Sequence, residues 1–146
     1  MNEIPYINPY KTKGHHCDIL LIACMDFRFH QYLVRSLDTL LDLDEFSYDY
    51  RGVLGGSKAI IDPIARRQMF KSIDLAVKKH DISIILLADH IDCGAYGGSM
   101  KHKSEEEEEK FHLDQLRKAK HILMKRYPQL KTILIYQDWH RVKIVK

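Results

Sequence analysis

Asp18-Ile-Leu-Leu-Ile-Ala-Cys24 decides how this chain folds. After its aspartate the stretch is apolar without alternation, and a strand that reads so is covered on both faces, as in a parallel sheet with helices above and below. Ile82-Ser-Ile-Ile-Leu-Leu-Ala88 and Thr132-Ile-Leu-Ile-Tyr136 read the same way. Between these runs the apolar residues recur at helical spacing. His30 to Leu43 puts Leu33, Leu37, Leu40 and Leu41 on one stripe. Ser57 is a candidate N-cap, Pro63 marks a break or a helix start, and Ile64, Phe70, Ile73, Ala76 and Val77 carry a stripe up to about His80. Lys101 to Tyr127 carries Phe111, Leu116, Ala119, Ile122 and Leu123 behind a run of five glutamates. That run suits the start of a helix and is expected to be solvated. Asp44 to Tyr50 reads as a short, more polar strand. Strands alternating with helices predict an α/β fold: a single domain over residues 17–146, built on a central, mainly parallel β-sheet of about four strands flanked by helices. Residues 1–16 are read as an extended N-terminal arm, and residues 142–146, Val142-Lys-Ile-Val-Lys146, as a basic tail.

The 146 residues fit one domain, and no repeat or linker divides them. With 23 Lys and Arg against 20 Asp and Glu, the net charge is +3, too balanced for an obligate nucleic-acid or membrane-surface protein. Apolar runs fall far short of the roughly 18 residues that would span a bilayer. The N-terminus lacks a charged segment followed by an apolar one, so no secretory signal is read there and a cytoplasmic location is expected. Three cysteines fit a reducing compartment, where thiols serve as ligands or nucleophiles more often than as bridges.

In sheets of this kind ligands collect beyond the carboxyl ends of the strands, where strand order reverses. Two unusual segments begin there. Cys24-Met-Asp26-Phe-Arg28 offers a thiol, a carboxylate and a guanidinium at every second residue, and His90-Ile-Asp-Cys93 adds an imidazole and a second thiol. Two cysteines and one histidine are a donor set that zinc uses in catalytic sites, leaving a fourth position for water. Thiolates favour zinc over magnesium or calcium. A phosphatase-type loop needs five residues between Cys and Arg, whereas three separate Cys24 from Arg28, and no pair of cysteines has the Cys-x-x-Cys spacing of a redox site.

Cys-x-Asp-x-Arg after the first core strand, paired with His-x-x-Cys-Gly after a later one, resembles the β-class carbonic anhydrases, in a short variant. The likeness runs from about Asp18 to Trp139. It implies one Zn2+ per subunit held by Cys24, His90 and Cys93, with Asp26 and Arg28 as a catalytic dyad. It also implies a homodimer or an assembly of dimers with sites near the subunit interface. The implied reaction is the reversible hydration of CO2 to bicarbonate and a proton through zinc-bound hydroxide, with no nucleic-acid or membrane partner. Asp26 would accept the hydroxide proton while Arg28 keeps it ionised and oriented. Gly55, Gly56 and Gly94 are candidate donors to bicarbonate through their backbone amides. Relatives of this family hydrolyse carbonyl sulfide or carbon disulfide, and a zinc protein without catalysis is a third reading. Asp89 stands where a glycine is common before the histidine, and Arg51-Gly-Val-Leu-Gly-Gly56 departs from the family's segment.

Outside these motifs, His15, His16, His102, His112, His121 and His140 are expected at the surface, with one of them available as a proton shuttle. Cys17 is expected to be a buried thiol rather than a ligand. Trp139 is expected to pack the end of the last strand against the arm or a partner, and Tyr96 to line the pocket or sit in the core.

Overall fold

A computed structural model describes residues 3–8, 11, 14–41 and 47–146. The elements run β1 (Ile19–Cys24), α1 (His30–Leu41), β2 (Tyr48–Val53), α2 (Lys58–Ile61), α3 (Pro63–His80), β3 (Ile84–His90), two short 3-10 turns (Gly94–Tyr96 and Ser99–Lys101), α4 (Glu105–Arg126), β4 (Lys131–Gln137) and β5 (Val142–Val145). The part of the first predicted helix at 42–43, and of the second predicted strand at 44–46, lies outside the described residues.

The sheet has the order β2-β1-β3-β4-β5. β1 pairs in parallel with β2 and β3, and β3 with β4. The fifth strand corrects the expectation of about four: β5 lies antiparallel on β4, with Leu134 opposite Val145 and Gln137 opposite Val142. Its alternating Val-Lys-Ile-Val pattern is that of an edge strand with one wet face, which a reading by charge takes for a tail.

β1 is buried along its whole length and β3 almost so, because each face of the sheet carries its own core. Leu20, Ile22, Ile85 and Leu87 face α3 and α4, where they meet Met69, Ile73, Leu116, Ala119 and Leu123. Ile19, Leu21, Ala23, Leu86 and Ala88 face α1 and meet Leu33 and Leu37. The registers Ile19↔Ile84 and Ala23↔Ala88 keep the two strands in phase, so the same parity feeds the same core in both. Local chemistry fixes the helix ends. Asp62 accepts from the amides of Ile64 and Ala65 at the start of α3, with Pro63 in the first position, and Ser104 accepts from Glu107 at the start of α4.

Ser57 is not the cap its position suggests. It already has helical angles, and its hydroxyl donates to Asp89 instead. The strand order reverses at β1, whose connection leads to β2 on one side while β3 lies on the other and leads away from it, so a crevice opens beyond Cys24 and His90.

Leu21→Ala and Ile85→Ala, on opposite faces of the sheet, are each expected to lower unfolding free energy by about 2–5 kcal/mol. Ile144→Ala, on the half-exposed edge strand, is expected to stay within about 1 kcal/mol. Urea unfolding followed by circular dichroism separates these outcomes.

Candidate metal centre and active site

Cys24 is the last residue of β1, His90 the last of β3, and Cys93 follows a turn in which Asp92 takes a left-handed conformation, φ 55°. These three bring their ligand atoms within 4.8 Å of one another. All three are buried, and the Cys24 and Cys93 sulfurs stand 4.0 Å apart as free thiols. His90 Nδ1 lies 2.6 Å from the Ile91 carbonyl, which can only accept, so Nδ1 carries the proton and Nε2 keeps its lone pair. That Nε2 is buried without a hydrogen-bond partner. A backbone carbonyl fixing the tautomer of a histidine whose other nitrogen is left for a metal is the usual arrangement of a ligating imidazole.

The electrostatics of the pair of thiols point the same way. A hydrogen bond from the Cys93 thiol pulls Cys24 down to about 4, helped by the neighbouring His90 imidazole and then by the amides of Asp26 and Gly55, while burial opposes it. The same hydrogen bond pushes Cys93 up. One thiolate therefore forms readily and the second only with a cation between them. The donor set, the orphaned imidazole nitrogen and the paired thiols fit zinc with three protein ligands.

Asp26 lies outside this trio and is gripped by Arg28. Nη2 of Arg28 is 2.7 Å from Asp26 Oδ2, Nε is 3.0 Å from Oδ1, and the Arg28 amide also donates to Oδ1 at 3.0 Å. Hydrogen bonding by the guanidinium holds the Asp26 carboxyl at about 2, against 3.8 ordinarily. The other edge of the guanidinium reaches Asp92, with Nη1 2.9 Å from Oδ2 and Nη2 3.2 Å from the carbonyl. Arg28 thus joins the two sequence motifs. Its flat group lies 5.4 Å from the ring centroids of both Phe29 and Trp139, and Phe29 stacks on His90 at 4.2 Å. Trp139 accordingly packs on the site, against Phe29 at 4.9 Å.

A polar layer beneath the site escaped the sequence reading. Asp89 is buried and accepts from the Ser57 amide at 2.7 Å and the Ser57 hydroxyl at 2.6 Å, with His112 Nδ1 at 3.3 Å. Tyr96 closes the network through its hydroxyl, 2.8 Å from Ser57 Oγ. Glu108 accepts from the Asp92 amide at 2.8 Å and from the Ser99 hydroxyl at 2.6 Å. Two expectations are corrected here: His112 and Glu108 are each only 1% exposed, not at the surface. Every third or fourth residue of α4 meets the sheet, and Glu108, His112, Leu116, Ala119 and Leu123 follow that spacing. This was the signal available in the sequence, and the charge run concealed it.

The candidate glycines differ in what they face. A Cβ at Gly56 would stand 2.2 Å from the Ala88 carbonyl oxygen and 2.5 Å from Asp89 Oδ1, at a φ of +49°. Its bareness lets the loop press against β3. Gly55, at φ +72°, would collide with Ala95 at 2.9 Å. At Gly94 a Cβ would meet nothing within 4 Å. The partly open void beside Cys24, His90 and Phe29 is only about 10 Å³, less than a substrate needs.

Gly56→Ala is expected to lose more than about 2 kcal/mol of stability, because backbone and buried carboxylate must both move. Gly94→Ala should be within about 1 kcal/mol of the parent. Asp26→Asn is expected to cost about 1–2 kcal/mol at neutral pH. A carboxyl whose pKa is lowered by folding contributes its stability above its unfolded value and loses it as pH falls through the folded one. The gap between parent and Asp26→Asn should therefore close between about pH 4 and pH 2, read from urea midpoints across pH.

Comparison with known proteins places the chain. A family model described as "Putative carbonic anhydrase" matches residues 14–146. An uncharacterized protein of Rickettsia conorii is 32% identical over 139 residues, spanning 89% of this chain and 72% of that protein. An uncharacterized protein of Rickettsia bellii is 31% identical over 122 residues, 77% of this chain and 71% of its own length. Among solved structures, the β-carbonic anhydrase CafA of Aspergillus fumigatus superposes with a TM-score of 0.65 at 16% identity, over 94% of this chain and 79% of that one. A structure from work on two tetrameric β-carbonic anhydrases of Sordaria macrospora gives 0.64 at 18% identity, over 94% and 87%. The structural matches show a likeness of fold, and the match over nearly the whole sequence makes this chain a member of the carbonic anhydrase family that the model describes.

Proposed function

We propose that the chain is a zinc-dependent carbonic anhydrase that interconverts CO2 and bicarbonate. The observation that carries this reading is the buried His90 Nε2 without a partner, facing two free thiols 4.0 Å apart. Cys24, His90 and Cys93 would hold the metal. Zinc, when bound, supplies a Lewis-acidic centre that lowers the pKa of water and makes hydroxide available near neutral pH. Two thiolates place more negative charge on the metal than imidazoles do, so activity is expected to rise on the alkaline side of neutrality.

The chain's own residues supply orientation. Asp26, kept ionised by Arg28, would accept a hydrogen bond at a carboxylate oxygen from the attacking group and so turn that group's lone pair toward the carbon of CO2. Arg28 is committed to Asp26 and Asp92 and acts as the frame of the carboxylate, not as a proton donor. Gly94, with open space at its Cβ position, is the candidate glycine best disposed to let bicarbonate approach its backbone. Gly55 and Gly56 are more closely tied to packing.

We assign the active form to a homodimer or an assembly of dimers. Met25, Phe27 and Leu54, beside the site, are 60%, 76% and 67% exposed, an apolar rim that a second copy would cover. The small, partly open void beside Cys24 and His90 is consistent with a substrate pocket completed in that way. Among the described residues no helix is long and apolar enough to cross a membrane, and the three cysteines are free, which supports a cytoplasmic location.

Stopped-flow CO2 hydration with a pH indicator tests the reading. The zinc-loaded parent is expected to be active with a rate that increases above neutrality, and Asp26→Asn to fall about 10²-fold or more in kcat with zinc retained. Zinc retained without hydration at alkaline pH contradicts the proposed activity. Sulfide release from carbonyl sulfide under the same conditions would assign the site to a sulfur substrate.

A further inference from the structure

A second donor cluster lies at the opposite end of the sheet. Cys17 precedes β1 by two residues, Asp49 is the second residue of β2, and His80 is the last of α3. Their ligand atoms also lie within 4.8 Å of one another. Cys17 precedes β1 and Cys24 ends it, and seven residue steps along the extended chain separate them by about 23 Å. The two clusters therefore share no ligand and no ion.

The geometry here is built and not incidental. The Cys17 amide donates to the His80 carbonyl at 3.0 Å, which fixes the thiol beside the end of α3. His80 Nδ1 stands 2.6 Å from Asp49 Oδ2, aligning the imidazole with the carboxylate. Cys17 is buried, with Sγ in a long contact of 3.7 Å to the Ile19 carbonyl. The trio opens on a cavity of about 480 Å³ lined by His15, His16 and Tyr48 as well as by its own members. The His15 ring is stacked on that of His80 with centroids 6.0 Å apart, so a further imidazole stands at the open side.

We propose that Cys17, Asp49 and His80 form a second zinc site that clamps the edge strand β2 to β1 and α3. One thiolate, one imidazole and one carboxylate, each from a different element, are donors that zinc takes in tetrahedral sites and that magnesium and calcium do not favour. The fourth position faces the cavity, where His15 or water completes it. β2 is an edge strand whose neighbour in the sheet is β1, so a cation joining Asp49 to Cys17 and His80 ties that edge to α3 as well. Without the ion, the contact between Asp49 and His80 holds two of the three donors close to their places.

The test is zinc stoichiometry on the full chain after chelation and equilibrium dialysis against zinc, with cobalt substitution as a spectroscopic readout. The parent should bind two equivalents. Cys24→Ser/Cys93→Ser should keep one, with cobalt showing the charge-transfer absorption of a single thiolate, and Cys17→Ser should keep the other, with the absorption of two. Asp49→Asn and His80→Gln, which conserve volume, should each lower the affinity of one equivalent at least 10-fold and leave the two-thiolate absorption intact. Should the double cysteine variant fail to fold, the parent against Asp49→Asn decides. A parent that binds one equivalent, or two that are insensitive to Cys17→Ser, Asp49→Asn and His80→Gln alike, overturns the proposal.

Discussion

Two buried thiols 4.0 Å apart, facing an imidazole nitrogen with no partner, are the constraint around which this structure is arranged. Such a cluster is unfavourable in a dry interior unless a cation resolves it, since only one of two adjacent thiols ionises easily and a buried unpaired nitrogen forfeits its hydrogen bond with water. The fold brings the cluster about through strand order. β1 and β3 are neighbours whose chains leave in opposite directions across the sheet, so both carboxyl ends open on one crevice. The apolar residues of the two strands hold that crevice in register, and the chemistry begins where burial ends.

Around the trio the polar groups form two tiers. Arg28 binds Asp26 on one side and Asp92 on the other, so the carboxylate and the turn that presents Cys93 move together. Beneath them Asp89 and Glu108 replace solvent for buried amides and hydroxyls. Asp89 does this at the loop that leads into α2. The carboxylate occupies the space beside Gly56 and anchors the start of α2 through Ser57, work that a glycine before the histidine would leave to other groups.

Much of this was legible in the sequence for a physical reason. Continuous apolar runs have few solutions other than a two-sided sheet, and cysteines at strand ends with an Asp and an Arg at alternate positions have few structural uses. The runs at Ile19–Cys24 and Ile84–Ala88 and the placement of Cys24 and His90 followed from that. What escaped was whatever contradicts its local average. Glu108 lies in a run of like charges and is buried by the helical period, and His112 looks like a surface residue until Asp89 is set opposite it. β5 reads as a tail because only half of it is covered. Ser57 has the chemistry of a cap, but a buried carboxylate competes for its hydroxyl and prevails, since charge-assisted hydrogen bonds are about twice as strong as neutral ones. Long-range pairings of this kind depend on register, which composition and spacing do not contain.

X-ray absorption at the zinc edge, recorded on the Cys17→Ser chain so that a single centre contributes, tests the central claim most directly. Two sulfurs at about 2.3 Å and one imidazole nitrogen at about 2.0–2.1 Å are predicted, with one light atom in the remaining position. A spectrum fitted by oxygen and nitrogen alone, or by fewer than two sulfurs, would contradict the assignment of Cys24, His90 and Cys93 as the ligands.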